Sequence, residues 1–99
     1  MQKLLNSNSF FLNQNHVVIS KENDISFYSY TTFIACYNRV ENILYLNSSK
    51  WDYSNTTRKY FKNFIEEFTP FDYLSKQKFI KFMESSENII VLNPEGMIA

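Results

Sequence analysis

Residues 50–61 mark the point where the chain changes from strand-like to helix-like patterning. Before them, β-branched and aromatic residues form short runs, as strands favour. From residue 60 onward, apolar residues recur at the spacing of one helix face: Tyr60, Phe61, Phe64, Ile65 and Phe68. Ser54 can cap this helix, because its side-chain oxygen can accept a hydrogen bond from a first-turn amide. The segment therefore predicts a β region joined to a helical region.

Four runs of β-branched and aromatic residues predict strands, at 16–20, 25–37, 43–46 and 89–92. The run 25–37 contains no Gly, Pro or Asn, so it predicts one continuous strand. Residues 1–15 are polar and predict a mobile start, in which Phe10, Phe11 and Leu12 could dock as a short strand or turn.

Two helices are predicted between the third and fourth strands. Thr69-Pro70 ends the first helix. The second starts between residues 72 and 75 and directs apolar side chains inward: Leu74, Phe79, Phe82 and Met83. The predicted order, β-β-β-α-α-β, corresponds to an α+β fold with an antiparallel sheet of about four strands and two helices packed on one face. The 99 residues contain no linker or internal repeat and predict a single domain, 1–99.

The sequence contains few residues of the types that commonly carry out catalysis. His16 is the only imidazole, and the single Cys36 falls in a strand pattern typical of an inert core thiol. One His and one Cys cannot form the usual four-ligand zinc site. The single Gly excludes the Gly-rich loops that cradle phosphates. The sequence therefore predicts neither an enzyme, a metal site nor a cofactor.

The remaining composition predicts an intracellular setting. A lone cysteine cannot form an internal disulfide, which fits a reducing cytosol. The N-terminus lacks signal-peptide character, and no apolar run approaches the ~20 residues of a membrane span. The formal net charge is zero, whereas proteins that mainly bind DNA usually carry an excess of basic residues.

Basic and aromatic residues gather around the predicted start of the first helix. The candidate contact residues are Lys50, Trp51, Tyr53, Arg58, Lys59 and Lys62. Such a set can hold nucleic acid by phosphate contacts and base stacking, and Trp, Tyr and Arg are equally enriched at protein interfaces. The alternative is structural: lysines keep an outer helix face solvated, while Trp51 and Tyr53 staple the helix entry to the core.

Two segments carry a resemblance to a family. Residues 28–35 (YSYTTFIA) and 51–60 (WDYSNTTRKY), with Tyr45 and Phe64, resemble small, uncharacterised proteins of phages and other mobile elements. The similarity covers roughly residues 25–92. It implies no activity, but it implies expression in a bacterial host cytoplasm by an invading element.

Three functions remain open. The first is a non-enzymatic binder of a host protein or ribonucleoprotein, of the kind that includes anti-CRISPR inhibitors of host defence; this partner class follows from the resemblance. The second is a single-stranded nucleic-acid binder that uses the same residues. The third is a structural or assembly protein that self-associates through its Tyr-rich strand.

Overall fold

The computed structural model describes residues 8–52 and 54–93. These residues form six strands and two helices: β1 (Asn8–Asn13), β2 (His16–Ser20), β3 (Asp24–Ser29), β4 (Thr32–Asn38), β5 (Ile43–Asn47), α1 (Asn55–Phe68), α2 (Lys76–Ser85) and β6 (Ile89–Leu92). The strands make one sheet in the order β1-β2-β3-β4-β5-β6. The first five are antiparallel neighbours, and β6 runs parallel to β5 after the helical crossover.

The α+β class is confirmed, but the prediction of about four antiparallel strands is wrong. The sheet has six strands and is mixed. One extra strand comes from the predicted mobile start, where residues 8–13 pair with β2. The other arises because the predicted strand 25–37 is the hairpin β3–β4, which turns at Tyr30 and Thr31.

The β3–β4 turn uses residues that rarely form such turns. Tyr30 and Thr31 have φ values of 50° and 66°, in the left-handed region that both central residues of a type I′ turn require. Asn and Gly normally occupy these positions, because a side chain with a branched Cβ is strained there. The sequence lacks the usual turn signal, which is why periodicity alone predicts an unbroken strand.

Replacing Thr31 with Gly is expected to stabilise the protein. A non-Gly residue in the left-handed region costs of order 1–3 kcal/mol, and Gly relieves this strain while adding some entropy to the unfolded chain. The free energy of unfolding in urea should therefore rise by about 1 kcal/mol. Glu22→Gly, at a turn position without a positive φ, should instead lower it. A loss of stability in Thr31→Gly would contradict the proposed strain.

Both helices cover the same face of the sheet. One cross-strand row on that face contains Val18, Phe27, Ala35 and Leu46. Phe27 meets the rings of Phe61 and Phe64 from α1 at centroid distances of 6.5 Å and 5.6 Å. Phe79 of α2 joins this same core through Phe61.

The caps fix where each helix begins. Ser54 accepts a hydrogen bond from the Thr57 amide and begins α1 as predicted, and Thr69 ends it. Ser75 accepts from the Lys78 amide and begins α2. The prediction that Leu74 points inward is wrong: it precedes the cap with a φ of 56° and is 66% exposed, because the helical spacing does not extend N-terminal to Ser75.

The other face of the sheet, which we call the open face, lies on the side away from both helices. Its side chains form three cross-strand rows. The first row is Phe11, Val17, Tyr28 and Phe33, the second is Ser9, Ile19, Ser26, Cys36, Tyr45 and Ile90, and the third is Asp24, Asn38 and Ile43. The first two rows contain no charged residue, whereas the third contains Asp24.

Candidate functional site

The structure separates the residues that the sequence places in one contact set. Trp51 is 5% exposed, and its ring lies 5.5 Å from the rings of both Phe61 and Phe79. Its side chain is therefore a core residue that ties α1 to α2, and it cannot form part of a contact surface in this fold. Tyr53 lies outside the described residues. The structural alternative for Trp51, a staple at the helix entry, agrees with this burial.

The basic residues of the predicted set lie around α1. Lys59 and Lys62 are exposed, and the Lys59 ammonium lies 5.4 Å from the centroid of the Tyr60 ring. Arg58 is half-buried and donates from its guanidinium to the Asn55 side-chain oxygen. All three are on the helix layer, so the sheet separates them from the aromatic side chains of the open face.

The charges of Arg58 and Asp52 also affect the pKa of the Tyr73 hydroxyl. Burial raises the pKa of the Tyr73 hydroxyl, the positive charge of Arg58 opposes this rise, and the charge of Asp52 adds to it. Asp52 pairs with Lys76 across 3.1 Å at the surface, where such a pair contributes little to stability. These interactions organise the loop beside α2 and leave Tyr73 protonated at neutral pH.

Lys50 lies in a pocket of about 290 Å³ beside the start of α1, which we call the hydroxyl pocket. Its lining consists of Lys50, Ile34 and five hydroxyl-bearing residues, Ser29, Tyr30, Thr32, Ser54 and Thr57. The pocket thus joins residues of two segments, 28–35 and 51–60.

A chain of hydrogen bonds runs from this pocket into the core. Ser54 donates to Thr57 Oγ1 at 3.1 Å, and Thr57 Oγ1 lies 3.3 Å from Ser29 Oγ. Ser29 Oγ lies 2.9 Å from His16 Nε2, and His16 Nδ1 lies 2.8 Å from Asn13 Oδ1. Asn13 Oδ1 already accepts from the Asn15 amide, so it is an acceptor, and Nδ1 of a neutral His16 donates to it. Nε2 then accepts from Ser29.

His16 is inaccessible to solvent and surrounded by aromatic rings. Tyr60 stacks on it at 4.6 Å, Phe27 at 6.1 Å, and Tyr30 meets its edge at 5.5 Å. Burial lowers the pKa of the imidazole, so the neutral form required by the hydrogen-bond chain is favoured. Sequence reasoning missed this network, because nothing in the chain spacing shows that residues 13, 16, 29 and 57 converge.

The Ser29–His16–Asn13 order matches that of a hydrolytic triad, but its surroundings favour a structural role. In such sites the backbone amide after the nucleophile commonly donates to the developing oxyanion. Here the Tyr30 amide donates to the Asn15 carbonyl at 2.7 Å and is engaged in the hairpin. Ser29 is itself buried and also contacts Thr57. The network therefore acts as a polar tie between α1 and the sheet.

Exposed and half-buried apolar side chains lie together on the open face. Phe11 is 72% exposed and Tyr30 is 63% exposed, whereas Val17, Ile19 and Tyr28 are half-buried. A hollow of about 420 Å³ lies between them, lined by Phe11, Val17, Ile19, Tyr28, Tyr30 and three polar residues, Gln14, Asn15 and Thr31. Tyr30 lines both this hollow and the hydroxyl pocket.

Cys36 lies on the open face and is half-buried, whereas the sequence pattern places it in the core. Burial raises the pKa of its thiol, an effect that a hydrogen bond with Ser26 partly offsets. The thiol is therefore mostly protonated at neutral pH, and thiolate chemistry is disfavoured there.

Residues 8–52 and 54–93 contain neither a metal-binding cluster nor a membrane-spanning helix. No three His, Cys, Asp or Glu side chains of these ranges come together in a way that could hold a metal ion. Neither of the two helices has the length and apolar character needed to cross a bilayer.

Comparisons with known proteins give a family and no function. No curated protein and no solved structure matches the chain. A family model matches residues 1–81, which include β1 to β5, α1 and the first half of α2. The chain therefore belongs to DUF8033, a family of unknown function.

Proposed function

We propose that this protein acts without catalysis, by binding a partner protein or ribonucleoprotein through the open face. The observation that supports this best is a hollow of about 420 Å³ on the open face, whose lining includes apolar and aromatic residues and no charged one. Contiguous exposed apolar surface on a small protein commonly marks an interaction site. Concave apolar surface with exposed aromatic side chains suits a partner's buried anchor residue.

The phage-family resemblance supports a more specific role. Residues 28–35 and 51–60 resemble proteins of phages and mobile elements, which supports a bacterial host protein or ribonucleoprotein as the partner. An inhibitor of host defence, of the anti-CRISPR type, is the role that we propose within this class. Such a protein acts by occupying its target, which requires a surface and no catalytic group.

The proposal predicts that binding depends on the open face and not on α1. In Val17→Lys/Ile19→Glu, opposite charges enter adjacent positions of the open face, so the net charge stays unchanged. The double variant Lys59→Gln/Lys62→Gln is the matched control on α1. A partner captured from bacterial lysate and then purified should bind the open-face variant about tenfold or more weakly, since interface anchors each contribute over 1 kcal/mol. It should bind the α1 variant as tightly as the unmodified protein.

Circular dichroism must show that each variant retains the fold. Equal affinity of the partner for the open-face variant and the unmodified protein would refute the proposed surface. If only the α1 variant loses binding, the contact surface would include Lys59 and Lys62 and not the open face.

Single-stranded nucleic acid is the second candidate, because aromatic side chains on a sheet face can stack on bases. Phe11, Tyr28, Phe33 and Tyr45 are of this kind. The electrostatics favour a protein partner, since the rows carry no cation to contact phosphates and α1 lies behind the sheet. If the protein binds single-stranded nucleic acid, its affinity for a labelled oligonucleotide, measured by fluorescence polarisation, should fall steeply as the salt concentration rises. Affinity for oligonucleotides that is absent, or insensitive to salt, would exclude it.

A further inference from the structure

Strand β1 is the last strand at one edge of the sheet, and its residues 9–11 pair with a strand on one side only among the described residues. An exposed edge presents backbone donors and acceptors that can pair with another chain. Natural proteins commonly protect such edges with charged side chains or proline. Residues 4–20 contain no charged residue and no proline. The edge therefore lacks both of these protections along its whole length.

Phe10 shows where a neighbouring strand would add apolar contact. It pairs with Val18 on the face that the helices cover, and its ring lies 5.4 Å from Phe68 of α1. It nevertheless remains 43% exposed, because no strand of the described part lies beyond β1. At Phe10 the hydrophobic core therefore reaches the solvent at the edge of the sheet. A strand added to β1 would cover the Phe10 side chain.

The bulge in β1 limits the register of any added strand. Pairing with β2 is regular from Asn8 to Phe11 and shifts between Phe11 and Asn13. A bulge bends its strand and disrupts further pairing. The segment 9–11 is thus suited to regular pairing, which favours a short contact.

We propose that β1 pairs antiparallel with β1 of a second copy, across a two-fold axis at Phe10. This register sets Phe10 opposite its own copy and Ser9 opposite Phe11, all within the regular segment. Directly opposed residues point to the same face, so both helix layers lie on one side and both open faces on the other. Two six-stranded sheets then form one continuous sheet.

Several features favour a second copy as the occupant of this edge. A two-fold contact is the commonest form of self-association, and it places like residues together. The paired Phe10 rings extend the Phe10–Phe68 contact into an aromatic row across the axis. The uncharged segment and the zero net charge impose no repulsion between identical chains. The Tyr-rich segment of the sequence hypothesis does not offer this contact, because β3 and β4 are interior strands with both edges paired.

The first test uses two variants that place charges of opposite sign at position 10. The unmodified protein should sediment as a concentration-dependent dimer. Phe10→Lys and Phe10→Glu should each raise the dimer dissociation constant by about tenfold or more, because like charges would face each other and the aromatic pair is lost. An equimolar mixture should restore dimers, since Lys then faces Glu. Val40→Lys, at an exposed position in the β4–β5 turn, is the matched control and should dimerise normally.

A second test does not depend on Phe10. In a Cys36→Ser background, Ser9→Cys and Phe11→Cys place thiols on exposed residues that the proposed register sets opposite each other between copies. A mild oxidant should cross-link a mixture of the two variants, with each pair of thiols losing two electrons to the oxidant. Either variant alone should cross-link far less.

A monomeric unmodified protein at millimolar concentration would overturn the proposal. A Phe10 mixture that stays monomeric, or a cysteine mixture that cross-links no more than the single variants, would do the same. The dimer does not rest on the proposed partner binding, because its tests use the purified protein alone.

Discussion

Replacing Trp51 with Ala is expected to lower the free energy of unfolding by about 3–5 kcal/mol, the usual cost of truncating a large buried aromatic residue. Trp51 fills the space between Phe61 of α1 and Phe79 of α2, and both ring contacts would be lost. Urea unfolding followed by circular dichroism measures the change, since the variant has no Trp to report by fluorescence. Such a loss would be a large fraction of the stability of a small domain.

Lys62→Ala is the matched control for Trp51→Ala, because Lys62 is exposed on α1 and should change stability by less than about 0.5 kcal/mol. Trp51→Phe separates volume from aromatic character and should recover much of the loss. A change below about 1 kcal/mol in Trp51→Ala would mean that the residue is not a core staple. The contact role inferred from the sequence would then regain support.

Replacing His16 with Phe is expected to lower the free energy of unfolding by about 1–3 kcal/mol at pH 7. Phe can occupy the aromatic surroundings formed by Tyr60 and Phe27, but it cannot accept from Ser29 or donate to Asn13. The loss of two hydrogen bonds costs about this amount, although Asn13 keeps its bond from the Asn15 amide and Ser29 keeps its contact with Thr57. Ser29→Ala should cost a comparable amount, because it leaves the buried His16 Nε2 without its hydrogen-bond donor, while Thr57 keeps its bond with Ser54.

The same residue should make stability depend on pH. Burial lowers the pKa of folded His16 below its ordinary value of 6.5, so the unfolded chain binds the proton more readily. The contribution of neutral His16 is complete above pH 6.5 and declines as the pH falls below that value. One proton limits the slope to about 1.4 kcal/mol per pH unit. Urea unfolding between pH 7 and 5 should show this decline in the unmodified protein and lack it in His16→Phe. Equal slopes in both proteins would refute the linkage.

The helical half of the fold could be predicted from the sequence because its signals are local. Ser54 and Thr69-Pro70 define α1, and the helical spacing of its apolar residues gives the face that meets the sheet. The strands at 16–20, 43–46 and 89–92 were also predictable from composition. The predicted range for the α2 start, 72–75, includes its cap Ser75, but Leu74 does not point inward, since its apolar side chain stands on a left-handed backbone before the helix.

The number of strands in the sheet could not be predicted from the sequence, because the residues at its turns are not the usual turn formers. Tyr30 and Thr31 adopt a conformation that composition assigns to Asn and Gly, so the β3–β4 hairpin is hidden in an apparently continuous strand. The polar start gave no strong strand pattern, although residues 8–13 pair with β2. Neighbouring strands supply the backbone partners that local propensity does not show.

The candidate site was predictable only in part. Clustering of rare residue types located Trp51 correctly at the β-to-α junction, but it could not distinguish a core aromatic residue from an exposed one. Separation of the α1 cations from the open-face aromatics depends on the sheet, which lies between them. The hydrogen-bond chain through His16 depends on contacts between residues far apart in sequence, such as Ser29 and Thr57.

The parallel pairing of β6 with β5 has a consequence for how the chain acquires its structure. The first five strands each pair with the next along the chain, so their contacts have low sequence separation and can form early. The β5–β6 pairing must instead close a loop that contains both helices, at a greater cost in chain entropy. During synthesis the five-stranded meander can therefore form before the helices leave the ribosome. Its core face then stays uncovered until α1 arrives, which makes that interval the period when the chain most needs protection from aggregation.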